Sequence, residues 1–194
     1  MFKIQNLLFI CIFFLFNLQF IFCQEKDFEV LNNNSLEIVF NDTLTEVRFK
    51  SLLHNKFLNG KKKIIYENKS FSELNFIDGY PDGKWVMIDS LRNKIFVTDY
   101  LKGRKHGKEI YYYPNGINKL KTNFVNGYQE GKTLMYYPSG IIGGEFFCKK
   151  GKKHGIEKWF HHDTRKIIYK AFFLNNKKVD SLTFYKNGNG LDGR

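Results

Sequence analysis

GRKHGKEIYYYPNG, Gly103 to Gly116, is followed after a short connection by GYQEGKTLMYYPSG, Gly127 to Gly140. Gly103, Gly107 and Gly116 return as Gly127, Gly131 and Gly140, each 24 residues later. A fixed period of this size is the mark of a repeat array, in which one supersecondary unit is stacked on copies of itself. Outward from this stretch the first glycine recurs at Gly79, Gly103, Gly127 and Gly151, and the second at Gly83, Gly107, Gly131 and Gly155. A third recurs at Gly116, Gly140 and Gly188, with Thr164 in its place once, while Asn175 and Val179 take the first two places in the last copy.

Each copy reads as a β-hairpin. Phe76, Tyr100, Phe124, Cys148 and Phe172 stand three residues before the first glycine place, and Leu74, Thr98, Thr122, Phe146 and Lys170 two further back. That is period-2 spacing, so these residues share one face of a strand. The second strand carries Ile88, Tyr112, Tyr136, Phe160 and Phe184, with Val86, Ile110, Leu134, Lys158 and Leu182 two residues earlier. Both sets are mostly apolar, and together Tyr100, Ile110, Tyr112, Phe124, Leu134 and Tyr136 are expected to supply the packed face. The strands end at Pro114-Asn115-Gly116 and Pro138-Ser139-Gly140, which are turn sequences. The expected fold class is all-β: an elongated antiparallel sheet of stacked hairpins behind an N-terminal β cap.

Residues 24–73 precede the clear period and read as that cap. Leu36–Phe40 and Leu44–Phe49 are strand-like, with Asn41, Asp42 and Thr43 as the turn between them. LNGKKKIIY, Leu58 to Tyr66, reads as a worn copy of the repeat. A stack of this kind needs atypical end units, because an open edge strand invites aggregation. Residues 74–194 are the array proper.

Residues 1–23 read as a secretory signal peptide. Lys3 precedes an apolar run from Leu7 to Phe22, and cleavage is expected between Cys23 and Gln24. An uncleaved membrane anchor is the alternative, although sixteen residues are slightly short for a span. Export places the chain in the periplasm, the cell envelope or the extracellular space. Cys148 is then the lone cysteine, so no internal disulfide framework is expected. It occupies a place held elsewhere by Phe or Tyr and reads as a small buried hydrophobe. Over the 194 residues, 43% are hydrophobic and 18% aromatic, enough to build a core.

Hairpin units with YYxxG and GxxxG motifs resemble MORN repeats. The form G-K-K-x-G-x-x-x-x-Y-Y-x-x-G is similar to the bacterial variant known as YwqK-like antitoxin proteins. The likeness covers Leu74 to about Gly188 and is clearest at the two stretches quoted first and at GKKHGIEKWFHHDT, Gly151 to Thr164. It departs at MIDSLRN, Met87 to Asn93, which lacks the tyrosines and third glycine, and again after Leu174. The resemblance implies a scaffold that binds protein or lipid, and the antitoxin label implies relatives that neutralise a toxin protein.

No catalytic or metal constellation rises above background. His106 and His154 share one repeat place two copies apart, about four strands or roughly 19 Å, which no single metal ion bridges. His161-His162-Asp163 is the best local cluster, but neighbouring strand residues point to opposite faces. No G-x-S-x-G elbow, P-loop or paired-cysteine zinc motif occurs. No enzyme activity, cofactor or metal is expected.

Charge says more. The formal net charge is +12. Arg104, Lys105, Lys108, Lys132, Lys152 and Lys153 lie in or beside the glycine turns and are expected to form a row along one long edge. Such a row would attract an acidic protein face, anionic lipid or glycan, or would simply keep the edge from pairing with another sheet. Tyr113, Tyr137 and Tyr185 are expected on the face opposite the packed set, as contact residues. The first expectation is thus an exported, non-catalytic scaffold for a protein partner. The second is an envelope protein held on anionic lipid or glycan by the basic row. Nucleic acid is an unlikely partner for an exported chain.

Overall fold

The structure, a computed structural model, describes residues 29–41 and 45–180. The signal segment, Tyr185 and Gly188 lie outside the described residues. The chain is all-β. The N-terminal strands are β1 (Glu29–Asn32), β2 (Leu36–Phe40), β3 (Val47–Ser51) and β4 (Lys56–Phe57). The array begins with β5 (Gly60–Ile65), β6 (Phe71–Ile77), β7 (Tyr80–Pro81), β8 (Gly83–Ile88) and β9 (Lys94–Leu101). It continues through β10 (Arg104–Tyr112), β11 (Asn118–Val125), β12 (Tyr128–Gln129), β13 (Gly131–Tyr136) and β14 (Ile142–Lys149). It closes with β15 (Lys152–Lys153), β16 (Gly155–Phe160), β17 (Ile167–Leu174) and β18 (Lys177–Val179). The antiparallel order is β5-β6-β8-β9-β10-β11-β13-β14-β16-β17-β18, with the short β7, β12 and β15 each paired to the strand before it, and β1 adds itself parallel to β5 at the edge. β2, β3 and β4 form a separate three-stranded sheet.

The first-glycine turns are two-residue hairpin tips. Lys102 and Gly103 have φ of 47° and 79°, Asn126 and Gly127 50° and 86°, and Lys150 and Gly151 48° and 74°. Two successive positive φ values define the type I′ turn, whose twist matches that of its strands. The second glycine follows each tip with positive φ, 107° at Gly107, and marks a bulge: the register of β10 against β9 shifts between Lys105 and Glu109. One N–H ladder ties the tips together. Gly103 donates to Pro81 O, Gly127 to Lys105 O and Gly151 to Gln129 O, at 2.8–2.9 Å. Each tip therefore leans on the hairpin before it.

The register also corrects the sequence count at the C-terminal end. Gly83 faces Tyr100, Gly107 faces Phe124 and Gly131 faces Cys148, but Gly155 faces Phe173, not Phe172. The cause is one extra residue in the turn after β16. His161 N bonds Lys166 O, whereas Tyr113 N bonds Ile117 O and Tyr137 N bonds Ile141 O. The last tip is thus Asn175–Asn176, φ 51° and 68°, and Asn176 rather than Asn175 takes the glycine place. At the other end, Gly60 faces Phe76 as Gly83 faces Tyr100. The run Leu58–Tyr66 carries that register one hairpin toward the N-terminus.

The expected packed set divides between two faces. Leu101 pairs with Arg104 and Tyr100 with Lys105, so an even-numbered residue of β9 shares its face with odd-numbered residues of β10. Tyr100 and Phe124 lie on what we call the inner face, with Thr98, Glu109 and Thr122. Ile110, Tyr112, Leu134 and Tyr136 lie on the outer face, where Ile110 stands opposite Val97 and Lys121. A core of Val47, Phe49, Leu58, Ile64, Leu74 and Phe76 sits where the three-stranded sheet covers the inner face, with Trp85 and Tyr100 packed against it. Phe49 anchors that contact, its ring 5.1 Å from Phe76 and 5.8 Å from Trp85.

Candidate functional site

The basic residues do not form one uniform row. Arg104 is exposed and pairs with Glu46 at 2.9 Å, so the N-terminal layer engages it. Lys105 turns inward to Glu109, a carboxylate 5% exposed. Lys153 repeats this two hairpins later, with Nζ 2.9 Å from Glu157, 6% exposed. In the intervening hairpin Gln129 and Thr133 hold the same places. Gln129 Nε2 donates to Thr122 Oγ1 at 2.9 Å and Thr133 Oγ1 at 2.7 Å. The bulge makes these contacts possible, since residues four apart on a straight strand are about 13 Å apart. Lys132 reaches across the outer face to Glu145 at 2.7 Å. Lys108 is exposed and gives its backbone N–H to Asp99. Lys152 is exposed at the fourth tip.

Tyr113 and Tyr137 are half-buried rather than open contact residues. Tyr113 Oη donates to Tyr136 O at 2.7 Å, and Tyr137 Oη to Phe160 O at 2.8 Å. Each ties its turn to the next repeat. The shared histidine place is structural too. Asp82, His106 and Glu130 accept the N–H of Lys102, Asn126 and Lys150 respectively, capping the following tip.

An exposed apolar row lies elsewhere. Across the inner face the register aligns Met87, Phe96, Tyr111, Leu120, Met135, Gly144, Trp159 and Tyr169, one residue per strand. Tyr111 is 36%, Trp159 36% and Tyr169 38% exposed. Gly144 gives the Trp159 indole its place, because a Cβ there would fall 2.8 Å from Trp159 Cε3. The Trp159 Nε1–H donates to Glu157 at 3.1 Å, which fixes the ring against the sheet. Sequence counting missed this row because it assigned faces from the wrong parity.

Burial dominates the perturbed groups. Tyr100 is pushed above its ordinary range by burial, with Glu109 and then Tyr111 adding to it. Tyr111 is raised by burial and by Glu109. Burial lifts the Cys148 thiol as well, only partly offset by Lys153. Cys148 is 5% exposed and packs as the small hydrophobe expected of its place.

One cluster invites a catalytic reading. Ser139 Oγ lies 2.9 Å from His162 Nε2, and His162 Nδ1 lies 2.7 Å from Asp163 Oδ1. A serine–histidine–aspartate relay depends on a buried aspartate that fixes the imidazole, whereas Asp163 is 77% exposed. Ser139 also holds the repeat place of Asn115, whose Nδ2 donates to Pro138 O. Both contacts tie one turn to the next. Among the described residues no group of three or more His, Cys, Asp or Glu side chains is placed to hold a metal ion. No described helix is long and apolar enough to cross a membrane.

No protein-family model matches the chain, and no curated protein matches it. Among solved structures, a mutant of S. aureus TarM in complex with fondaparinux, α-GlcNAc-glycerol and UDP is 8% identical, with a TM-score of 0.30, over 71% of this chain and 23% of that one. The pneumococcal O-GlcNAc transferase GtfA with UDP and GlcNAc is 13% identical, with a TM-score of 0.22, over 69% and 20%. The GtfA/B complex is 10% identical, with a TM-score of 0.21, over 69% and 20%. The chain thus spans about a fifth of the length of these proteins, and likenesses of this size carry no activity over to it.

Proposed function

We propose that this chain is an exported, non-catalytic repeat scaffold of MORN-like type that binds a protein partner, in the manner of the antitoxin-like repeat proteins it resembles. The observation that supports this most is the inner apolar row. The N-terminal layer packs on the same face beside the row, at Trp85 and Tyr100, and among the described residues the row is exposed at Tyr111, Trp159 and Tyr169. An apolar stripe that carries three exposed aromatics on one sheet face fits a protein interface. The inward pairing of Lys105 and Lys153 weakens the competing reading of a basic row that holds anionic lipid or glycan, because both charges are already matched by carboxylates.

The test is capture with the tagged full chain from envelope extract at low salt. The expected result is a protein recovered in stoichiometric amount and lost with the Tyr111→Ser/Trp159→Ser double variant, which keeps its β circular dichroism. Failure to recover a protein from any extract, or capture undiminished by the variant, overturns the reading. N-terminal sequencing of the recovered chain tests export, with Gln24 expected as the first residue.

A further inference from the structure

β3 lies along the row of hairpin tips and gives a template for what else that row accepts. Its residues advance two per repeat, against the order of the array. Phe49 N donates to Gly79 O at 2.7 Å and Val47 N to Gly103 O at 2.9 Å. Thr45 comes next, so close to the third tip that a Cβ on Gly127 would fall 2.7 Å from Thr45 O. The alternate side chains reach the residues flanking the tips: Arg48 meets Asp78 at 2.6 Å and Glu46 meets Arg104 at 2.9 Å. Apolar residues point into the sheet and charged ones pair with the rim.

The same tip is built twice more beyond the reach of β3. Lys150–Gly151 and Asn175–Asn176 have the dihedral pattern of Lys102–Gly103. Gly151 N and Asn176 N are anchored on Gln129 O and Lys153 O at 2.9 Å, as Gly103 N is on Pro81 O. The carbonyls of Gly151 and Asn176 are therefore presented as that of Gly103 is. Among the described residues nothing donates to them. A Cβ on Gly151 would meet only the Tyr128 ring, at 3.4 Å. The flanking charges differ from those under β3. Lys150, Lys152 and Lys177 are exposed, and among the described residues none of their ammonium groups has a carboxylate within 4.0 Å, although Glu130 accepts the backbone N–H of Lys150.

We propose that the tips of Gly151 and Asn176 form a docking track for an extended segment of the partner protein, laid end to end with β3 and alternating apolar with acidic residues. This rests on the protein-binding reading above and specifies a different surface of the same scaffold. The partner's main-chain N–H groups take the two tip carbonyls, as Val47 and Phe49 take those of Gly103 and Gly79. Its acidic side chains pair with Lys150, Lys152 and Lys177, as Glu46 pairs with Arg104. Strand addition of this kind draws affinity from the main chain and selectivity from alternate side chains.

The probe is a short synthetic peptide alternating glutamate and valine, titrated into the isotope-labelled full chain. Amide shifts are expected at Gly151, Lys152, Asn176 and Lys177. Affinity should fall at least about tenfold in Lys150→Glu/Lys152→Glu, and also when lysine replaces glutamate in the peptide or alternate peptide amides are N-methylated. Lys94→Glu, at a turn on the opposite edge, should leave binding unchanged. Shifts centred on Tyr111 and Trp159, or affinity indifferent to N-methylation or to the double variant, overturn the track. A photo-crosslinker at position 152 that captures Val47–Phe49 of a second copy overturns the partner in favour of self-association. If a captured partner crosslinks from position 159 and not from 152, the scaffold reading stands and the track falls.

Discussion

A single Cβ decides much at the tips. Gly103 has φ of 79°, and a Cβ there would meet Tyr80 Cδ1 at 2.6 Å and Val47 O at 2.8 Å. Gly116 has nearly the same φ, 81°, but nothing within 4 Å of its Cβ position. Gly116→Ala should therefore cost only the left-handed backbone penalty, about 1 kcal/mol. Gly103→Ala adds displacement of β3 and should cost about 3 kcal/mol. Equilibrium urea unfolding of the two variants checks the difference, and equal losses would show that β3 does not press on the tip. Protons act at the same scale. Tyr100 and Tyr111 are both raised above the ordinary tyrosine value in the folded chain. Above a pH of about 10 the unfolded chain loses phenol protons that the folded chain retains, so it binds fewer protons and stability falls with rising pH. Urea midpoints measured from pH 8 upward should hold steady and then drop through that range. Replacing Tyr100 with Phe should flatten the drop.

At the scale of the element, the sequence was legible where backbone conformation forces residue choice. Positive φ at the second tip place selects glycine, so the tips announced themselves at 24-residue spacing. Face assignment was not legible, because it depends on turn length: a two-residue tip sets even residues opposite odd ones. The frame slip after β16 was hidden as well, since one extra residue between His161 and Lys166 carries no composition signal of its own. Nor does anything in Val47–Ser51 say that β3 lies on the tips, because its alternating pattern would suit any half-covered strand. The Lys105–Glu109 pair was hidden for the same reason as the faces: only a bulge brings residues four apart together. The array supplies its own control for that pair. Lys105→Ala leaves Glu109 buried without its cation and should cost about 2 kcal/mol, less than a fully buried pair because Lys105 is partly exposed. Lys105→Gln/Glu109→Thr copies the neutral Gln129/Thr133 arrangement of the next hairpin and should recover most of the loss, since no buried charge remains. Thermal melts of the single and double variants read this directly. A double variant no more stable than the single would mean that the two places are not equivalent.

Across the whole molecule, a stack of hairpins draws its stability from nearest neighbours, so its parts need not share one opening free energy. Among the described residues, a second sheet covers the inner face only at the N-terminal end, where Phe49, Phe76 and Trp85 interlock. Further along, the buried residues are Glu109, Thr122, Thr133 and Glu157 with only the apolar Cys148, Ile156 and Ala171 among them, which contribute less apolar burial. β17 carries Ile167 and Ile168 at 51% and 63% exposure. Amide exchange should accordingly be slowest in β6, β8 and β9, intermediate from β10 to β14, and fastest in β16 to β18. Phe49→Ala should remove that gradient by accelerating exchange in β6, β8 and β9, because it withdraws the ring joining the two sheets at a cost of about 3–5 kcal/mol. Uniform exchange along the parent array would mean that the hairpins open as one cooperative unit, and a gradient that persists in the variant would mean that the N-terminal layer does not set the order. A gradient would also place the two free tips at the most mobile end, where an added strand that closes the row should slow exchange most.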